Sequence, residues 1–224
     1  TLTATDAAGK ALALTDLGGG KYRFAMPASA VTVMASFLDD SALRDRFVDV
    51  PAGSYCSDAV LWAVKQGITL GTDAEHFSPA IPCTRGQAVT FLWRAAGKPA
   101  ASSAVTFSDV TDDAYCAEAV RWAASLGIVT GYSDGCFGAG DSITRQQMAV
   151  MLYRFAKAQG MDTTQGGMEV REFDDFEQVS AYAGEAMAWA VNTGILKGAD
   201  NQLMPKAPCT RAQMVTMLHR LLAD

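Results

Sequence analysis

The chain has 224 residues, half of them apolar and 19% charged, with 24 acids against 18 bases and a net charge of −6. That length can bury a core, and the acidic balance argues against nucleic acid, whose phosphates recruit basic faces. No apolar run approaches the ~18 residues a bilayer span requires, and a chain that opens on Thr1-Leu2-Thr3 without a signal peptide reads as a mature fragment of something longer.

The first 37 residues carry strand periodicity. Leu12 and Leu14, then Tyr22, Phe24 and Met26, then Val31, Val33, Ala35 and Phe37 alternate with other residues, and Gly18-Gly19-Gly20 supplies a turn. So few strands are marginal alone. Residues 1–37 therefore read as the end of a β-rich module, joined through a linker at 38–46 to the larger, C-terminal part of the chain.

From Phe47 onward the chain repeats. Phe47-Val48-Asp49-Val50 returns as Phe107-Ser108-Asp109-Val110 and as Phe173-Asp174-Asp175-Phe176. Each is followed by a tyrosine (Tyr55, Tyr115, Tyr182), a helical stretch through Trp62, Trp122 or Trp189, and Gly-Ile at 67, 127 and 194. A glycine loop comes next, then Phe77, Phe137 or Leu203, seven residues before Thr84-Arg85, Thr144-Arg145 or Thr210-Arg211. Copies spanning 47–97, 107–160 and 173–224 result, with linker composition between them. Each copy reads as helix, loop, helix. Ala59, Val60, Ala63 and Val64 make one apolar face, and Gly67 suits the left-handed residue past a helix end. Thr84-x-x-Gln87, Thr144-x-x-Gln147 and Thr210-x-x-Gln213 fit capping boxes that open the second helices. A two-helix unit has little core, so the three copies are expected to pack on one another.

Arg85, Arg145 and Arg211 each occupy the first position of a helix, where the macrodipole disfavours a cation. Propensity gives no reason to place arginine there three times. A helix N-terminus with free N–H groups plus a guanidinium is a carboxylate site; the alternative is internal pairing with Asp49, Asp109 or Asp175. The two readings can coexist. Trp62, Trp122 and Trp189 lie just off the apolar face, either as core or with an edge stacking on a sugar. Gln87, Gln147 and Gln213 cap their helices and could reach a ligand at the same corner. Asp134-Gly135 and Asp200-Asn201 offer too few acids for calcium. No G-x-S-x-G, H-E-x-x-H or phosphate-binding glycine loop occurs, so neither catalysis nor a cofactor or metal is expected.

Cys56, Cys83, Cys116, Cys136 and Cys209 form no C-x-x-C pair. They read as small buried hydrophobes or, in an oxidising extracellular setting, as one or two disulfides with a thiol left over. Cys116–Cys136 and Cys56–Cys83 are candidate pairs whose connectivity spacing does not fix.

The pattern F-x-D-V…Y-x-x-A-V-x-W-A…G-I…G…F-x-P…T-R-x-Q resembles the S-layer homology (SLH) domain, present three times over about residues 47–223. The family's T-R-A-E reads here as T-R-G-Q, T-R-Q-Q and T-R-A-Q, which keeps the capping box and removes an acid. Copy two departs at Gly138-Ala139, and copy three has Leu203 for the aromatic. The resemblance implies a mainly α fold: three helix-loop-helix repeats in a pseudo-threefold bundle behind a short β segment, with ligand grooves between neighbours. It also implies noncovalent anchoring to an acidic, often pyruvylated cell-wall glycan of a Gram-positive-type envelope. Arg85, Arg145 and Arg211 would then line the grooves, supported by the aspartates and tryptophans, and N-terminal cargo of the parent chain would be displayed outside the cell. The Tyr22–Val33 stretch resembles the end of a short extracellular β-repeat. Two other readings stay open: a protein-binding adhesive module, and the anchor portion of a larger secreted enzyme.

Overall fold

A computed structural model describes residues 2–16, 21–35, 43, 45–101 and 105–223. The chain divides into two compact units, residues 1–45 and Arg46–Asp224.

In the first unit, β1 (Leu2–Asp6) pairs antiparallel with β4 (Val31–Ala35), from Leu2 opposite Ala35 to Asp6 opposite Val31. A second ladder joins only β2 (Thr15–Asp16) to β3 (Tyr22–Arg23). The expected strands through Leu12–Leu14 and Phe24–Met26 therefore shrink. Among the described residues the first run makes only the Thr5–Ala11 bridge, with Leu12 N–H donating to Ala4 O at 2.8 Å, and Met26 stays exposed ahead of Pro27, which has no N–H to donate. The turn at Gly18–Gly20 and Phe37 lie outside the described residues.

The second unit holds six α-helices among the described residues, two per copy. They are α1 (Ser57–Lys65) and α2 (Arg85–Ala95), α3 (Ala117–Ser125) and α4 (Arg145–Ala158), and α5 (Gly184–Asn192) and α6 (Arg211–Leu222). Three 3-10 turns, Glu169–Glu172, Phe176–Gln178 and Ala181–Ala183, lead into α5. The second helix of each copy packs on the first helix of the next: α2 on α3, α4 on α5, α6 on α1. The ring therefore closes, and the three copies form a pseudo-threefold bundle around one core in which Phe77, Phe137, Leu92, Leu152, Leu203 and Leu218 have no exposed surface.

The ring is also closed by backbone. Cys83 N–H donates to Cys209 O at 2.8 Å, Cys209 N–H to Ile143 O at 2.8 Å, and Ile143 N–H to Cys83 O at 2.9 Å. One residue of each copy thus bonds around the pseudo-threefold axis, and those three side chains are fully buried.

Local chemistry sets the helix ends. Thr84, Thr144 and Thr210 each accept the N–H of the glutamine three residues on, whose side chain accepts the threonine N–H in return. Gly67, Gly127 and Gly194 follow the first helices at φ 67°, 68° and 72°, the left-handed residue that ends a helix. Gly71, Gly131 and Gly198 are needed for a different reason. A Cβ there would stand 2.2–2.5 Å from the ring of Phe47, Phe107 or Phe173, so only glycine lets the repeat's opening phenylalanine close over the loop.

Candidate functional site

The first two N–H groups of each second helix are not free. Arg85 and Gly86 donate to Asp141 O and Ala139 O of copy two, Arg145 and Gln146 to Ala207 O and Pro205 O of copy three, and Arg211 and Ala212 to Ile81 O and Pro79 O of copy one, all at 2.9–3.1 Å. With the third N–H taken by the capping threonine, the expected anion site of free amides is absent. The amides join each copy to the next.

The arginine side chains make the same crossing. Arg85 donates through Nε to Phe137 O (2.9 Å) and through Nη2 to Thr130 O (3.4 Å), with its guanidinium 4.7 Å from the Tyr132 ring. Arg145 donates to Leu203 O (2.7 Å) and Lys197 O (3.1 Å). Arg211 donates through Nε to Phe77 O (2.9 Å), but its buried Nη2 has no hydrogen-bond partner among the described residues. The carbonyl at the matching loop position, Leu70 O, instead accepts Nη2 of Arg46 at 2.9 Å. The three arginines are 5%, 5% and 3% exposed. Burial pulls the pKa of Arg145 and of Arg211 below the usual guanidinium value.

The alternative reading, arginine paired with aspartate, is not met by any hydrogen-bonded ion pair among the described residues. Asp49 accepts from Phe77 N–H and Ser78 N–H, Asp109 from Phe137 N–H and Gly138 N–H, and Asp175 from Leu203 N–H and Met204 N–H, at 2.6–2.9 Å. Ser78, Gly138 and Met204 are left-handed, at φ 61°, 73° and 51°. Each carboxylate therefore clamps a tight turn. Glycine in copy two fits that turn without a Cβ penalty.

Two grooves open where the arginines cross. The first has a volume of about 170 Å3 and takes Arg85 from copy one, the loop 130–132 with Gln147 and Arg154 from copy two, and Tyr182 from copy three. The second, about 300 Å3, takes Arg145 from copy two, residues 197–199 with Gln213 and Arg220 from copy three, and Tyr55 from copy one. Both of these grooves are therefore built by all three copies. Along each groove wall the contributions fall at i, i+3, i+4 and i+7: Gln147, Val150, Met151, Arg154, and Gln213, Thr216, Met217, Arg220. Among the described residues no acid lines either groove, although Asp141 reaches the edge of the first through Tyr132. Each groove thus brings together two arginines, an amide and a phenol, all of them able to donate hydrogen bonds.

All three glutamines cap their helices through Oε1; Gln147 and Gln213 also stand in the groove linings, and Gln87 stands in neither. The tryptophans do not reach them. Trp122 packs edge-on against Phe155 and Trp189 against Tyr153, both buried, and half-buried Trp62 meets the His219 ring at 5.2 Å. Their side chains fill the seams between helices, and the exposed aromatics at the grooves are Tyr55, Tyr132 and Tyr182. The second arginine was legible but unused: Arg94, Arg154 and Arg220 each stand seven residues after the capping glutamine. The expected disulfides do not form. Cys56, Cys83, Cys116 and Cys136 are free, as is Cys209, because Cys56 and Cys136 sit beside Ser54 and Ser108 instead of a second thiol. Burial pushes Cys83 and Cys209 up to about 12. Among the described residues no group of three or more His, Cys, Asp or Glu could hold a metal ion, and no helix is long and apolar enough to cross a membrane.

The S-layer homology domain matches residues 46–89, 106–149 and 172–215, together more than half of the chain. An endoglucanase of Bacillus sp. (strain KSM-635) is 32% identical over 177 residues, 79% of this chain and 18% of that protein. The surface-layer 125 kDa protein of Lysinibacillus sphaericus is 26% identical over 209 residues, covering 92% of this chain and 17% of its own. A cellulosome-anchoring protein of Acetivibrio thermocellus is 29% identical over 152 residues, 65% and 33% of the two chains. The chain thus spans about a third or less of these relatives.

Proposed function

The chain belongs to the S-layer homology family, and from that premise we propose that its grooves hold the carboxylates of an acidic cell-wall glycan, pyruvylated sugars first among them. The module is a non-catalytic anchor that keeps a surface protein on the wall. The Arg145 groove carries this reading. A guanidinium 5% exposed and bonded only to neutral carbonyls faces a second arginine across a cavity with no acid in its lining. The Asp175 carboxylate supports Arg145 through space but spends its oxygens on the Leu203 and Met204 N–H groups, so a carboxylate arriving in the groove adds charge-assisted hydrogen bonds that Asp175 does not make. Several such sites on one chain, meeting one polymer, add by avidity. The strand-bearing first unit is the end of an extracellular β-repeat, and the cargo precedes it in the parent chain.

The test is sedimentation with cell-wall sacculi. Wild-type chain should pellet with sacculi that retain their acidic polymer and stay in solution once it is stripped. The double variant Arg154→Ala, Arg220→Ala should stay in solution with both. Pelleting of either protein with stripped sacculi, or undiminished pelleting of the variant, would refute the proposal.

A further inference from the structure

The two grooves differ, besides Val150 against Thr216 on the helix wall, at two positions of one loop. Copy two has Thr130-Gly131-Tyr132 where copy three has Lys197-Gly198-Ala199. In the first groove the Tyr132 ring stacks on Arg85, and its hydroxyl donates to Asp141 Oδ2 at 3.0 Å, which fills space and brings a carboxylate to the edge. In the second groove Ala199 leaves that space open, in keeping with a volume of about 300 Å3 against 170 Å3. The exposed side chain of Lys197 lines it and adds a third cation to Arg145 and Arg220. The first groove has two cations, Arg85 and Arg154.

We propose that the Arg145 groove selects a glycan segment with two negative charges on neighbouring sugars, Lys197 reading the second, while the Arg85 groove takes a single charge. This rests on the reading of the grooves as carboxylate sites. The loop position suits the role. Lys197 O is held by Arg145 Nη2, and the Ala199–Gln202 bridge closes the turn after it, so the lysine stem leaves from a fixed backbone. A lysine head on a flexible stem acts as a point charge and accepts either a carboxylate or a phosphate. Because it is exposed, its contribution is that of a solvent-facing ion pair, about five-fold in affinity, and it weakens with salt.

The experiment uses the full chain and three probes: a methyl glycoside of a pyruvylated N-acetylhexosamine, the same sugar linked to glucuronic acid, and the same sugar linked to a phosphorylated hexose. Nε–H signals of Arg85 and Arg145, both hydrogen-bonded and buried, report each groove separately by NMR. Both doubly charged probes should bind at Arg145 about five-fold tighter than the single-carboxylate probe. A preference for only one of them identifies the source of the second charge. Lys197→Leu should bring the doubly charged probes down to the affinity of the single-carboxylate probe at Arg145, and Thr130→Lys should create an advantage at Arg85. Both substitutions keep the backbone carbonyl that the arginine uses. An advantage that survives Lys197→Leu, or an equal loss for all probes, would overturn the inference while leaving the carboxylate reading intact. No response to any probe at either signal would reject that reading, and this inference with it.

Discussion

Replacing Asp175 by alanine is the sharpest test of what holds the grooves in shape. Its two oxygens accept Leu203 N–H and Met204 N–H, each at 2.7 Å, and the residue is 6% exposed. Leu203 is fully buried, and Met204 is a left-handed residue with a side chain. Without the carboxylate a buried donor goes unpaired, at about 1–3 kcal/mol, and a strained turn is released. The expected loss is about 3 kcal/mol. Asp109 makes the same two bonds, one of them to the equally buried Phe137, but its carboxylate is exposed, so water can take its place, and Gly138 bears no strained side chain; the loss should be about 1 kcal/mol. In a unit of about 180 residues the difference corresponds to roughly 4–8 °C in Tm. Thermal melts by circular dichroism at neutral pH measure it, with Asp175→Asn, which keeps one acceptor, falling between wild type and alanine. Equal losses at Asp109 and Asp175, or an Asp175→Ala melt within about 1 °C of wild type, would refute the argument that burial sets the strength of the clamp.

Gly198→Ala should destabilise the unit by about 2–4 kcal/mol in urea unfolding, because its Cβ would meet both the Phe173 ring and the Gln202 carbonyl, and the backbone atom cannot swing aside. Thiol titration with a disulfide reagent at pH 8 should find half-buried Cys136 reactive in the native chain and all five thiols after denaturation, since burial holds Cys83 and Cys209 near 12. Burial pushes the Asp109 carboxyl up, but the Phe137 and Gly138 N–H groups outweigh it and hold it below the usual carboxylate value. A depressed folded value gives stability that is present above the unfolded value and lost as pH falls through the folded one. Wild type should therefore lose more stability than Asp109→Ala between about pH 4 and pH 2, measured by parallel melts.

Much of this was legible because it is local. The capping boxes and the glycines after the first helices are decided within three or four residues, and three copies repeat them. What the arginines do was not, since Arg85, Arg145 and Arg211 find their acceptors 52, 58 and 134 residues away. Their place against the macrodipole marked them as unusual. It could not reveal that neighbouring loops would consume the helix amides and leave only the side chains at the grooves. The aspartates failed as arginine partners for the same reason, because each clamps a turn 28 residues on. The tryptophans show the limit of periodicity. Lying off one apolar face does not say whether the adjoining face meets solvent or a neighbouring helix, and here it meets the helix of another copy or its own. The Gln-x6-Arg spacing was visible, but its meaning depends on helix contacts between copies.

Because each groove draws on all three copies, affinity should not scale with copy number. A chain ending at residue 171 would keep Arg85, Gln147 and Arg154 but lose Tyr182 from the first groove, and from the second it would lose Lys197, Gln213 and Arg220. It would also lose two of the three axial bonds, those to Cys83 and Ile143 from Cys209, together with α6, the helix on which α1 packs. Independent modules would retain about two-thirds of the sites. A closed ring predicts that the truncated chain stays in solution with polymer-bearing sacculi. A circular permutant that begins at copy two and joins residue 223 to residue 46 by a flexible linker should pellet like wild type, since it breaks a connection between copies and no contact across the ring. Wall binding by the truncated chain at a strength comparable to the permutant's would show that the copies act separately, and would remove the reason for the ring.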